Sequence, residues 1–144
     1  MSTVNIVYWS GTGNTEAMAN AVAEGVTAAG AEANVIFVSD ASVDALKDVK
    51  AFALGCPSMG EENLEEAEME PFMEALDGVI SGKQVGLFGS YGWGNQEWMR
   101  DWEERITNDG ATVVNGEGIA FLGEPDDATN DELKALGSAL AGLA

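Results

Sequence analysis

The chain has 144 residues, the size of one domain with a substantial core. Lys and Arg number 6 against 25 Asp and Glu, which gives a net charge of −19, and histidine is absent. This balance argues against nucleic acid and anionic membrane surfaces as partners, because binding to them depends on Lys and Arg. No apolar run reaches the roughly 18 residues of a membrane span, and the N-terminus does not resemble a signal peptide, so we expect a cytoplasmic protein.

The side chains of this protein are poorly suited to catalysis or metal binding. Without histidine, the commonest general base and a common metal ligand are missing. The single cysteine, Cys56, excludes an internal disulfide and a Cys-rich zinc site. Its position at the end of an apolar run predicts a buried, unreactive thiol. We therefore expect no catalytic residue and no metal site.

Strand-like and helix-like segments alternate along the chain. In the first half we predict a strand at 5–9, a helix at 15–29, a strand at 33–38, a short helix that Ser39 or Ser42 caps, and a strand at 51–55. In the second half we predict a helix that ends at Leu76 with Pro71 in its first turn, a strand at 84–88, a helix at 95–107, an interrupted fifth strand (111–114 and 118–122) and a helix at 131–143. Apolar strands alternating with helices predict one α/β domain over residues 1–144, a doubly wound parallel sheet of five strands with helices on both faces.

The first loop at a strand carboxyl end is S-G-T-G-N-T, residues 10–15. Ligands of open α/β sheets bind at such ends, where the winding direction reverses. The glycines let backbone N–H groups converge, the hydroxyl and amide groups add neutral donors, and the dipole of the following helix favours an anion. The loop matches neither a dinucleotide fingerprint nor a P-loop. It predicts a phosphate site, with a simple helix cap as the alternative.

Two further loops carry side chains that suit a flat ligand. The loop G-S-Y-G-W-G-N, residues 89–95, sets Tyr91 and Trp93 among glycines, which favours stacking over surface decoration. The loop C-P-S-M-G-E-E-N, residues 56–63, contains Met59, whose sulfur can lie against an aromatic ring or pack on the core, followed by Gly60, which tolerates either sign of φ. Together the loops favour a planar heteroaromatic with one phosphate, and FMN fits best.

Three segments resemble the short-chain flavodoxins: W-S-G-T-G-N-T, L-G-C-P-S-M-G-E-E and L-F-G-S-Y-G-W-G-N-Q-E-W-M-R-D-W. The resemblance covers essentially the whole chain. It implies a soluble, low-potential electron carrier that binds one FMN non-covalently and shuttles single electrons between redox proteins through the semiquinone/hydroquinone couple. It also implies strand order 2-1-3-4-5, of which flavodoxins are themselves a standard example. We expect a monomer that is not a stand-alone catalyst.

The resemblance also implies roles for the loop residues. The phosphate would be held by Ser10, Gly11, Thr12, Gly13, Asn14 and Thr15. Met59 and Trp93 would enclose the flavin ring, the peptide at Gly60 would flip toward the flavin N5–H, and Glu62 would accept from the ring N3–H. Ser58 and Glu61 belong to the same loop. The ribityl and pyrimidine side would be lined by Ser90, Tyr91, Gly92 and Gly94. Glu124 is not assigned a contact.

Residues 61–77 contain eight acidic residues and no basic one. One interpretation is a solvated helix face. The other, which we favour, is a docking surface beside the flavin for basic patches on partner reductases and acceptors, with association rates that fall as ionic strength rises.

Three other functions agree less well with the sequence. A flavodoxin-like NAD(P)H:quinone or flavin reductase would need a second nucleotide site, for which the sequence has no recognisable motif. A phospho-receiver domain is excluded, because its acidic pair, acceptor aspartate and lysine are missing from the corresponding loops. A cofactor-free interaction module would leave Trp93 and Met59 exposed for no evident reason.

Overall fold

The computed structural model describes residues 3–11, 13–59, 63–92 and 94–144. The strands are β1 (Thr3–Tyr8), β2 (Glu32–Phe37), β3 (Ala51–Gly55), β4 (Gln84–Tyr91), β5 (Thr112–Val113) and β6 (Ile119–Leu122). The α-helices are α1 (Asn14–Ala28), α2 (Val43–Lys47), α3 (Met69–Leu76), α4 (Glu97–Asn108) and α5 (Asp127–Leu143), with 3₁₀ turns at Val38–Asp40 and Val114–Gly116. Within these ranges, no helix has the length and apolar character needed to cross a bilayer.

The sheet is parallel throughout, in the order β2-β1-β3-β4-β5, so the expected topology is confirmed. The interrupted fifth strand is also confirmed. Its halves, β5 and β6, pair with opposite ends of β4, and the 3₁₀ turn Val114–Gly116 separates them. The chain therefore reverses its winding direction between β1 and β3, which opens a crevice beyond their carboxyl ends.

Helices cover both faces of the sheet and form two apolar cores. The first core lies between the sheet and α2, α3 and α4; it contains Trp98 and Trp102, each 1% exposed, as their i, i+4 spacing predicts. The second core lies between the sheet and the helix pair α1 and α5. Because β3 is covered on both faces, all five of its residues are buried. Cys56, at its carboxyl end, is fully buried, and burial raises the pKa of its thiol to about 12.

The fourth strand is three residues longer than predicted. Residues 89–91 were assigned to a loop, and this was wrong: they continue β4 and pair with β6, Gly89 opposite Ala120 and Tyr91 opposite Leu122. Gly89 here marks a close approach, because a Cβ at this position would overlap the carbonyl oxygen of Cys56. Tyr91 is consequently a half-buried strand residue, not a residue of an exposed loop.

Two helix starts also differ from the prediction. The last helix, α5, begins four residues early, at Asp127, because the Asp126 carboxylate accepts a hydrogen bond from the Thr129 N–H at 2.8 Å and caps it. The fourth helix, α4, begins two residues late, at Glu97. It is preceded by Gln96 in the left-handed region (φ 67°), which is outside helical geometry.

Helices α1 and α5 approach each other closely through glycine. A Cβ on Gly25 would overlap the backbone of Lys134, and a Cβ on Gly137 would overlap the carbonyl oxygen of Val22. Helix α1 begins at the candidate phosphate loop, and its amino end faces the crevice. The contact with α5 therefore fixes the position of that amino end.

We expect Gly137→Ala to lower the free energy of unfolding by about 2 kcal/mol, because the added methyl group must push the two helices apart. Urea titration of the purified protein measures the change. Gly142→Ala is the matched control: it lies in the same helix, and a Cβ there meets open space. Its effect should be neutral or stabilising by about 0.5 kcal/mol. Equal losses in both variants would contradict the close-packing explanation.

Candidate cofactor site

A cleft of about 270 Å³ lies at the carboxyl ends of β1, β3 and β4. Its described lining residues are all uncharged: Trp9, Gly11, Asn14, Pro57, Ser58, Met59, Ser90, Tyr91, Gly92 and Gly123. Seven of the predicted site residues are among them, contributed by all three predicted loops. Ser10, Gly13, Thr15 and Gly94 are described but do not line the cleft, and Thr12, Gly60, Glu61, Glu62 and Trp93 lie outside the described residues.

The first loop presents the amino end of α1 to this cleft. Gly13 is the N-cap residue, with φ 98°, and it has no side chain to accept the first-turn N–H groups. Its own N–H donates to Ser10 Oγ at 3.1 Å, so Ser10 shapes the turn. Asn14, in the first turn, lines the cleft. Because glycine has no side chain, Gly13 cannot cap α1 by a side-chain hydrogen bond. The amino end of α1 therefore suits an anion.

Trp9 is a cleft residue that the sequence interpretation treated only as the end of a strand. Its ring packs against Gly11, where a Cβ would lie 3.0 Å from the indole Cη2 atom. Gly11 is therefore needed for this close contact, and it is not among the glycines with positive φ. The available signal was position: Trp9 directly precedes the phosphate loop, at the end of the strand that borders the crevice.

The second loop is closed by a pair of backbone hydrogen bonds. Met59 N–H donates to Asn63 O and Asn63 N–H donates to Met59 O, both at 2.8 Å. Ser58 N–H donates to Ser90 O at 3.0 Å, which ties this loop to β4. Met59 is half-buried and lines the cleft. The alternative that it is simply part of the core is therefore wrong, since neither apolar core includes it.

A buried pair of hydroxyl groups joins the first turn of α1, which follows the first loop, to β4. Thr15 Oγ1 and Ser90 Oγ are 3.1 Å apart, with exposures of 1% and 5%, and the Ser90 N–H also approaches Thr15 Oγ1 at 3.4 Å. Thr15 thus points toward the sheet and not into the cleft. Its described role is to hold the first turn of α1 against the strand that carries the other half of the site.

Several carboxylates of the acidic stretch, residues 61–77, form hydrogen bonds or ion pairs within the protein. Glu65, 7% exposed, accepts hydrogen bonds from the N–H groups of Ala67, Glu68 and Met69 at 2.7–3.0 Å and so caps α3. Glu70 and Asp77 both pair with Arg105 on α4. The interpretation of the whole stretch as one free acidic surface was therefore too broad. Glu66 and Glu74 are the exposed carboxylates among its described members.

The Arg105 cluster also contains a perturbed carboxyl group. Burial tends to raise the pKa of Asp77, but hydrogen bonds from Arg105 outweigh it and hold that pKa below its usual value. Burial and the adjacent Asp77 carboxylate raise the pKa of Asp109 to about 6. None of these three residues lines the cofactor cleft. The cluster joins α3 to α4. Among the described residues, no group of three or more Cys, Asp or Glu side chains could hold a metal ion.

Comparison with known proteins decides the family. The protein-family model for flavodoxin matches residues 6–137. The chain belongs to the flavodoxin family. The flavodoxin of Clostridium beijerinckii is 52% identical over 128 residues, which cover 89% of this chain and 92% of that protein. The flavodoxin of Megasphaera elsdenii is 50% identical over 139 residues, 96% of this chain and 98% of that protein.

The fold agrees with solved flavodoxins. The solution structure of two-electron reduced Megasphaera elsdenii flavodoxin matches with a TM-score of 0.87 at 49% identity, covering 96% of this chain and 98% of that chain. An archaeal flavodoxin matches with a TM-score of 0.85 at 32% identity, covering 97% and 96%. Flavodoxins are FMN-binding electron carriers, and the expected family, cofactor and carrier function are confirmed for this chain.

The described residues suit FMN. The uncapped amino end of α1, together with the neutral donors of the first loop, matches a phosphate group. The side chains of Trp9, Met59 and Tyr91 supply apolar and aromatic surface for a flat ring. A phosphate and a ring bound in this cleft would meet no neutralising side chain among its described lining residues.

We expect Thr15→Val to lower the free energy of unfolding by about 1–2 kcal/mol, because it leaves the buried Ser90 hydroxyl without its partner. Ser90→Ala should cost a similar amount for the same reason. The double variant should be more stable than the sum of the two single losses predicts, since it leaves neither hydroxyl unpaired. Urea titration of the protein without FMN measures all three.

Thr107→Val serves as the control for the loss of a hydroxyl from a helix, because Thr107 is exposed on α4. Its effect should stay within about 0.5 kcal/mol. Strictly additive losses for Thr15→Val and Ser90→Ala would show that the two hydroxyl groups do not depend on each other.

Proposed function

We propose that this chain is a low-potential, single-electron carrier that holds FMN in the uncharged cleft and has no reaction of its own. The observation that carries the proposal is the cleft itself. Three predicted loops meet there, at the switch point of the sheet: the first leads into the amino end of α1, and the other two contribute Met59 and Tyr91. The tight clustering of the three predicted loops supports a single cofactor site.

The first loop would hold the phosphate. Backbone N–H groups of the first turn of α1 offer fixed donors, and Ser10, Thr12 and Asn14 add neutral ones. Gly13, with φ 98°, allows the turn that brings these donors together, and Gly11 leaves room for the Trp9 ring beside it. Thr15 would contribute through its bond to Ser90, which fixes the helix end relative to β4.

The other two loops would hold the ring and the ribityl chain. We assign Met59 and Trp93 to the two faces of the ring, Glu62 to its N3–H and the Gly60 carbonyl to its N5–H. The closed Met59–Asn63 pair supports this, because it fixes both ends of the segment that carries Gly60, Glu61 and Glu62. The remaining assigned residues are Ser58, Ser90, Tyr91, Gly92 and Gly94.

Bound FMN supplies the redox chemistry, and the protein adjusts it. The described residues of the cleft add no positive charge, and the chain carries a net charge of −19. Such an environment disfavours the gain of negative charge in the site, so the final electron should enter only at a low potential. A backbone carbonyl turned toward N5–H would stabilise a protonated ring nitrogen and separate the two electron-transfer steps.

Partner docking would occur at the carboxyl end of the sheet. The segments 9–15, 56–68, 92–96 and 123–126 contain no Lys or Arg, whereas Lys50 and Lys83 directly precede β3 and β4 at the opposite end. Glu66 lies in the second of these segments and Glu124 directly follows the cleft residue Gly123, and both are exposed. This separation of charge would orient the flavin end toward basic patches on reductases and acceptors. We further infer a cytoplasmic monomer.

In the FMN-loaded Gly60→Ala variant, we expect the potential of the first electron-transfer step to fall by about 40 mV. A peptide flip at this position requires a backbone conformation that costs alanine roughly 1 kcal/mol more than glycine. Reductive titration followed by visible spectroscopy measures both steps.

Gly142→Ala, far along α5 with open space around it, should retain the wild-type potentials. Unchanged potentials in Gly60→Ala would remove the assigned role of that peptide. Rapid NADH oxidation by the FMN-loaded wild-type protein, with no partner reductase present, would contradict the carrier function.

We expect Glu66→Gln to reduce the rate of electron transfer to a cytochrome of net positive charge and to flatten the dependence of that rate on ionic strength. Stopped-flow measurement over a range of salt concentrations tests this. Glu32→Gln removes the same charge from the amino end of β2, on the opposite end of the sheet, and should have less effect. Equal effects would mean that net charge alone sets the rate.

A further inference from the structure

Gln96 is the residue immediately before α4, and its backbone is unusual. Gln96 and Asn115 are the non-glycine residues with positive φ in the part of the chain that the structure describes, at 67° and 66°. A residue with a long side chain is rare in the left-handed region and persists there only when the surroundings hold it. The strain points to a contact that keeps Gln96 in place.

The side chain of Gln96 makes such a contact. Its Nε2 donates to the Tyr91 hydroxyl oxygen at 3.1 Å. The backbone carbonyl oxygen of Gln96 accepts from the N–H groups of Met99 and Arg100, in the first turn of α4. The left-handed backbone thus lets one residue start the helix and also reach back to Tyr91. Tyr91 in turn lines the cofactor cleft, whereas Gln96 does not.

Tyr91 is held from three directions. Its backbone is fixed at the end of β4, where its carbonyl oxygen accepts from the Gly123 N–H at 2.9 Å. Its ring lies 5.6 Å from the ring of Trp98, at an interplanar angle of 51°. Trp98 is itself anchored, because its indole N–H donates to Cys56 O at 3.0 Å. The hydroxyl group at the far end of the Tyr91 ring is held by Gln96.

We propose that Gln96 is a positioning residue for the flavin ring: its hydrogen bond to the Tyr91 hydroxyl fixes the phenol ring as part of the wall of the FMN cleft. The inference rests on the proposed site. Gln96 would act through Tyr91 and not by touching the cofactor. The left-handed backbone of Gln96 is strained, and relief of this strain should not reduce the stability of the fold. Loss of the hydrogen bond to Tyr91, in contrast, should weaken FMN binding.

Gln96→Gly separates these two effects. Glycine adopts the left-handed conformation freely, so the midpoint of thermal unfolding of the protein without FMN should stay the same or rise. The hydrogen bond to Tyr91 is lost, and FMN should bind about three- to tenfold more weakly, the factor expected for one neutral hydrogen bond. Asn115→Gly is the matched control, because it relieves the same backbone strain in the 3₁₀ turn Val114–Gly116 and should leave FMN affinity unchanged.

Tyr91→Phe removes the acceptor and should weaken FMN binding by a similar factor, and the double variant should bind no more weakly than either single one. Because Tyr91 would act on the ring, riboflavin should lose affinity by the same factor as FMN in Gln96→Gly. Fluorescence titration of the protein without cofactor gives both affinities. The inference would be overturned if the Gln96→Gly protein is stable and binds FMN with wild-type affinity. It would also be overturned if the variant loses affinity for FMN but not for riboflavin. Wild-type protein that binds no FMN would instead overturn the proposed site as well.

Discussion

The first turn of α1 offers backbone N–H groups to a cleft whose described walls carry no charge, and the rest of the site is arranged around that end of the helix. Without a lysine or arginine in the loop, binding of an anion depends on where the helix points. Its direction is set at two places: the close glycine contact with α5 at Gly137, and the buried bond between Thr15 and Ser90. The hydroxyl pair also links the start of α1 to β4, so the two sides of the cleft are fixed relative to one another.

Local patterns in the sequence were sufficient for most of the fold. Apolar runs located the strands, and β3 agrees with the prediction at both ends because it is buried on both faces. The early start of α5 follows from a local cap, Asp126 on Thr129, that the prediction missed. Other errors arose where tertiary structure overrides local preference. Glycine and serine at 89–90 indicate a loop, but pairing with β6 keeps them in the strand. Gln96 in the left-handed region has no local signal at all. The strand order came from the family resemblance, since alternation of strands and helices does not specify which strands are neighbours.

The site was predicted to the level of its loops, and less well at the level of side chains. Thr15 was assigned to the phosphate, yet its hydroxyl is turned toward Ser90, and Trp9 was missed although it packs on Gly11. The acidic stretch shows the same limit. From the composition alone, Glu65 is expected to be a surface charge. In the structure it is buried and caps α3. The sequence supplies the donors and charges, but their direction depends on tertiary packing.

Cys56 lies directly at the carboxyl end of β3, next to Pro57 in the wall of the cleft, and it is fully buried. Burial also raises the pKa of its thiol well above the usual value, so little thiolate forms at neutral pH. Thiol–disulfide exchange requires both a thiolate and access to it, and here both are lacking. The single cysteine of this protein is therefore insulated from small thiols and oxidants, which keeps it out of thiol–disulfide exchange beside the cofactor cleft.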